Sequence, residues 1–182
     1  MDRKFAVAGS ISGKEIRELR EYAGLSRKEF AGLAGVSVKT VEHWENSDCS
    51  ITGPVVFLRQ ILLENCRIID RLTMPEQEYA LRYIYMFDND PCTVIDVDVP
   101  RQLVKIKNFT DILQKRAFGS IENPTYFQFE EFLKSRCFPE SRDKLKLELE
   151  RLDIPFYDPF MIVEKTQGRM SEDRFRLEII RK

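Results

Sequence analysis

Between residues 12 and 46 the chain is punctuated so closely that only short helices fit. Ser26 stands three residues before Glu29, the reciprocal capping box that opens a helix, and Phe30, Leu33 and Ala34 supply its short apolar face before Gly35 stops it. Gly35-Val36-Ser37 forms a tight turn, and Ser37 caps a further helix whose inward stripe is Val41 and Trp44, with Val36 just before it. Upstream, Ile16, Leu19 and Ala23 recur at helical spacing among charged residues until Gly24 ends the run. Two short helices joined by a glycine turn make a helix-turn-helix.

Composition narrows what such a motif serves. Lys and Arg total 29 against 30 Asp and Glu, and through Asp70 the two classes are equal at ten each, so no overall basic excess announces nucleic acid. The one histidine, His43, lies in the third short helix, which removes most chemistry built on His pairs or triads. Cys49, Cys66, Cys92 and Cys137 are too scattered for a zinc knuckle or a redox pair and are expected to be separate, buried, reduced thiols. None of the eight glycines forms a phosphate-binding loop. No repeat, low-complexity stretch, secretion signal or membrane-length apolar run is present. These features point to a cytoplasmic, non-enzymatic protein without metal or cofactor.

The text "IRELREYAGLSRKEFAGLAGVSVKTVEHWENS" closely resembles the Xre/Cro-type helix-turn-helix family of bacteria and phages, and the likeness runs from Ile11 to about Leu72. It implies that the third helix lies in the major groove of double-stranded DNA and that Arg20 pairs with Glu45 to lock the first helix onto it. By the same resemblance Val38, Lys39, Glu42 and His43 face the bases, with Thr40 at the edge between base and phosphate. Lys donates to guanine, Glu accepts from cytosine and a valine methyl packs on thymine; Glu42 equally suits a solvated charge. Arg27, Ser37 and Asn46 match backbone-holding positions, and Lys28 beside Arg27 joins the set of candidate DNA-binding residues. Two departures stand out: Arg27 replaces the common Gln, and Ser47 replaces the Gly that usually follows Asn46.

Gly53-Pro54 opens a fourth helix with the apolar face Val55, Leu58, Ile61 and Leu62. The start "TGPVVFLRQIL" is similar to antitoxin-associated members of the family. Val56, Phe57, Leu63, Ile68 and Ile69 exceed one stripe and suit the seam of a homodimer, which would read an inverted-repeat operator.

Beyond residue 72 the pattern changes. Thr73 to Glu76 reads as a capping box that starts a connector helix through Tyr79, Ile84 and Phe87, over 73–90. Alternation at residues 93–99 and 103–107 predicts a β-hairpin with Asp96 and Asp98 facing Lys105 and Lys107 across the strands. Helices are expected to begin at Asn123-Pro124, Pro139-Glu140 and Asp158-Pro159, the last capped by Gly168, before a third strand containing Phe175, Leu177 and Ile179. The expected organisation is a mainly α chain: a helix-turn-helix bundle of four to five helices over 1–72, the connector, and a small α+β interaction domain over 91–182 with a three-stranded antiparallel sheet. This second part resembles an uncharacterised Firmicutes domain associated with HipA-like toxin-antitoxin genes. That likeness implies a possible protein partner, a toxin or a defence protein. The polar motif "EKTQGRMSEDRF" supplies the candidate partner-binding residues Lys165, Arg169, Glu172 and Arg174, which also fit a solvated loop or an anion-binding corner.

Overall fold

The computed structural model describes residues 6–65 and 67–182, which form two compact units divided between Thr73 and Met74. In the first unit β1 (Ile11–Ser12) leads into α1 (Gly13–Tyr22), α2 (Arg27–Ala34), α3 (Val38–Asn46), β2 (Ser50–Ile51), α4 (Pro54–Glu64) and α5 (Arg67–Leu72). The two short strands pair antiparallel, Ile11 opposite Ile51, and close the bundle at one end. Side-chain oxygens of Ser12, Ser26 and Ser37 cap α1, α2 and α3, the first two within reciprocal boxes with Glu15 and Glu29. Gly24 and Gly35 take left-handed backbone between these helices, a conformation that costs other residues energy through their Cβ.

The core of this unit is Ile16 and Leu19 from α1, Phe30 and Ala31 from α2, Val41 from α3, and Val55, Val56 and Leu62 from α4, with Trp44 packed half-buried against it. The expected dimer seam is therefore reduced. Val56 is buried in its own chain, and Ile68 and Ile69 pack against the same core, whereas Phe57 and Leu63 stay exposed. Gly13 begins α1 against the end of α3, where a Cβ would stand 1.8 Å from the Trp44 carbonyl oxygen, so only glycine permits this approach.

The second unit is a four-stranded antiparallel sheet, not three-stranded, in the order β5-β4-β3-β6, with β3 (Leu81–Phe87), β4 (Asp90–Asp98), β5 (Leu103–Asn108) and β6 (Phe175–Arg181). The additional strand replaces the expected connector helix. Thr73 does not open a helix; its hydroxyl donates to the Ile69 carbonyl and closes α5. The segment that follows is buried on both faces: Tyr83 and Tyr85 meet the helices, while Ile84 and Met86 pack with Val94 and Phe109 on the other side. A strand with two apolar faces loses the polar alternation that reveals an edge strand, and its Tyr-Ile-Tyr-Met-Phe content is the remaining β signal.

One face of the sheet is covered by α6 (Tyr126–Ser135), α7 (Leu145–Leu152) and α8 (Pro159–Thr166). Phe129, Leu133, Ile162, Val163 and Leu177 are among its most buried side chains, and Phe129 and Phe132 make ring contacts with Tyr83 and Tyr85. Thr125, in a box with Gln128, is the cap of α6, and α7 begins at Leu145 instead of Pro139, after Lys144 in left-handed backbone. The hairpin register places Asp96 opposite Lys105, but the charge partner of Asp96 is Arg82 on β3. Arg82 donates to both carboxylate oxygens at 2.6 and 2.7 Å, and both residues are buried. Lys105 instead bonds Glu78, and Asp98 lies 3.8 Å from Arg101. Cys92 and Cys137 are buried, with Cys137 pushed up to about 12 by burial, whereas Cys49 is exposed, contrary to expectation; Cys66 lies outside the described residues.

Candidate nucleic-acid interface

Three arginines of the first unit gather around one buried carboxylate. Glu45, in the last turn of α3, has a fully inaccessible side chain. Arg20 of α1 donates to one of its oxygens at 2.6 Å, and Arg27, the first residue of α2, donates to the other at 2.8 Å. Arg20 also holds the Leu25 carbonyl in the loop between those helices. Arg17 completes the cluster, donating to the Glu45 carbonyl at 2.9 Å and to Asn46 Oδ1 at 3.3 Å, where a cation satisfies the exposed carbonyl end of α3. Burial pushes the Glu45 carboxyl up, but the hydrogen bonds and charges of Arg20 and Arg27 outweigh it and hold the group below the usual Glu range. One carboxylate thus ties α1 and α2 to α3, which fixes the mutual angle of the helix-turn-helix.

With that frame set, the predicted residues fall into two groups. Val38, Lys39, Glu42 and His43 are exposed on the outward side of α3, opposite the buried Val41 and Glu45, and Thr40 lies half-buried beside them. Lys28 is exposed on the first turn of α2. The second group already has intramolecular work. Ser37 accepts the Thr40 N–H and shares a hydrogen bond with the Thr40 hydroxyl; Asn46 accepts from Arg17; and Arg27, half-exposed, donates to Glu45. Ser47 caps the end of α3, its hydroxyl bonded to the Trp44 carbonyl.

Local charge differs from the balance over the whole unit. The acidic side chains Glu15, Glu18 and Glu21 belong to α1, and Glu29 is bound in its capping box. Glu45 is neutralised by Arg20. Around α3 this leaves Arg17, Arg27, Lys28 and Lys39 against Glu42 and, just past the helix end, Asp48. Arg17 was not singled out from the sequence; its place one helical turn before Arg20 and Glu21 is the only signal, and nothing local distinguishes it from a solvated charge.

In the second unit, Arg169 and Arg174 border the same cleft of about 840 Å³, whereas Glu172 lines a smaller neighbouring cavity and Lys165 is exposed in the last turn of α8. The residue that organises this corner is Arg136, which sequence reasoning passed over. Buried at the end of α6, it donates to the Gly168 carbonyl at 2.9 and 2.7 Å and to both oxygens of Asp173 at 2.6 and 3.0 Å.

Comparison with known proteins agrees with the geometry of the first unit. A family model described as a helix-turn-helix domain matches residues 13–59, the span from the start of α1 into α4. No match was found among curated proteins or among solved structures. The first unit therefore carries a helix-turn-helix, a module of DNA-binding proteins. Among the described residues no helix is long and apolar enough to cross a membrane.

Proposed function

We propose that the chain is a sequence-specific transcriptional regulator of the Xre/Cro kind, which binds an inverted-repeat operator as a homodimer and represses its own operon. The observation that carries this reading is the outward face of α3: four exposed side chains of differing chemistry, Val38, Lys39, Glu42 and His43, on a helix whose orientation is set by the Glu45 cluster. Lys39 suits guanine, Glu42 suits cytosine and the Val38 methyls suit thymine. Lys28 and the amino end of α2 suit the phosphate backbone, as helix starts favour anions. Phe57 and Leu63, the members of the expected seam that stay exposed on α4, suit self-association. A twofold dimer would place half-site centres about 34–36 Å apart, or a multiple of that.

The test is a footprint of the DNA upstream of the gene, followed by anisotropy titrations of the protected duplex and a scrambled one at several salt concentrations. Lys39→Ala should cost about 1–3 kcal/mol on the protected duplex and relax preference at one base pair. Lys28→Ala should weaken both duplexes alike and lower the salt slope by about 1. Equal binding of both duplexes by the wild type would refute sequence reading.

A second reading is an antitoxin or an anti-defence protein whose second unit neutralises a protein target through Lys165, Arg169, Glu172 and Arg174. It is favoured by the charged, internally braced corner at Gly168, and recovery of a stoichiometric protein partner lost on Arg169→Glu would support it.

A further inference from the structure

The cleft of the second unit lies between the β3–β4 turn and the segment entering β6. Its volume, about 840 Å³, falls in the range that holds small ligands. Two carboxylates stand on its walls, and both are neutralised from within the protein. Asp173 receives the two-pronged Arg136 fork and the Phe175 N–H, which hold its carboxyl below the usual Asp range against burial. Asp88 pairs with Arg174 at 3.0 Å. Arg169, Arg174 and Arg176 also line the cleft. Arg176 bonds Glu178, but among the described residues no carboxylate is paired with Arg169. Among the residues that line the cleft, cations outnumber acids three to two.

The backbone of this wall and the Arg174 side chain are held in place before any ligand arrives. Arg136 grips the Gly168 carbonyl on one side of the segment and, with a longer bond of 3.4 Å, the Phe175 carbonyl on the other. Gly168 has a φ of +60°, and a Cβ there would meet Leu177 at 3.0 Å and Arg136 at 3.2 Å, so the backbone carrying Arg169 is closely confined. Arg174 is oriented by its pair with Asp88 and by the Phe87 ring, 4.5 Å from its guanidinium carbon. Guanidinium forks are matched best by an anion with several acceptor oxygens, and phosphate groups offer such bidentate partners.

We propose that this cleft binds a small phosphate-bearing ligand, with Arg169 as its principal recognition group and Arg174 and Arg176 beside it. The site would add an effector to the regulator proposed above, but its test needs no DNA.

The full-length protein is titrated with sodium pyrophosphate by calorimetry at fixed ionic strength, with citrate in a parallel arm and amide NMR shifts locating the site. Saturable one-to-one binding is expected, with shifts at residues 88–89 and 168–176. Arg169→Gln should weaken it about tenfold or more, the cost of one charge-assisted contact, while keeping the wild-type melting midpoint. Arg174→Gln, which leaves Asp88 unneutralised in the cleft, should weaken it at least as much. Absence of saturation, equal affinity in Arg169→Gln, or citrate binding as tight as pyrophosphate would overturn the proposal. So would shifts confined to the first unit, which would assign the anion to the α2–α3 face, or saturation by an acidic peptide with none by pyrophosphate, which would assign the cleft to a protein partner.

Discussion

Glu45→Gln tests whether one carboxylate frames the DNA-binding unit. The substitution keeps the size of the side chain and removes its charge. An amide has one oxygen where the carboxylate had two, so either Arg20 or Arg27 must then face an NH2 donor with its own N–H. A hydrogen bond to a charged group contributes roughly 1.5–3 kcal/mol, and breaking a buried pair costs about 3–5 kcal/mol. Arg27 is 42% exposed and recovers hydration, which discounts its share; Arg20, at 14%, does not. A loss of about 2–4 kcal/mol follows for this unit, and for a domain of its size about 3 kcal/mol lowers the melting midpoint by roughly 12–24 °C. Trp44 is the one tryptophan, so its fluorescence reports the first unit within the full-length chain. The pH dependence carries a sign. Because the folded carboxyl lies below its unfolded value of about 4.3, the stabilisation is fully present above that pH and disappears as the pH falls through the lower folded value. The gap between wild type and Glu45→Gln should thus be constant from pH 7 to about 5 and narrow below about 4.3. A midpoint within about 0.5 kcal/mol of wild type at pH 7, or a gap that widens in acid, would refute the reasoning.

Gly13→Ala should destabilise the first unit by about 1–3 kcal/mol, measured by the same fluorescence melts, because the new methyl meets the Trp44 carbonyl of the backbone and not a flexible side chain. Asp96→Asn should cost the second unit about 3–5 kcal/mol by leaving Arg82 buried without its counter-ion, while the Trp44 signal stays unchanged; far-ultraviolet dichroism set against fluorescence separates the two transitions. Phe129→Ala should remove about 3–5 kcal/mol from the second unit, since that ring is fully buried against Tyr83, Tyr126 and Phe160; a smaller loss in urea melts would place the centre of the core elsewhere.

What the sequence determined by itself is local. Caps, glycine stops and one-faced helical stripes act within a few residues, and so α1 to α4, the cap at Ser37 and the hairpin of β4 and β5 could be read directly from the residue order. The pairing of Arg20 with Glu45 came through resemblance. What the tertiary structure alone decided is non-local. Residues 81–87 are a central strand because β4 and β6 flank them and both faces are covered, and burial on both sides erases the period that would have announced a strand. Ion-pair partners were decided in the same way. Arg27 took the second oxygen of Glu45, Asp96 took Arg82 instead of a lysine, and Arg136 reached 37 residues along the chain to Asp173. Long guanidinium side chains settle on whichever carboxylate the fold buries nearby, because an unpaired buried charge is too costly to leave. Residue spacing carries no trace of that choice.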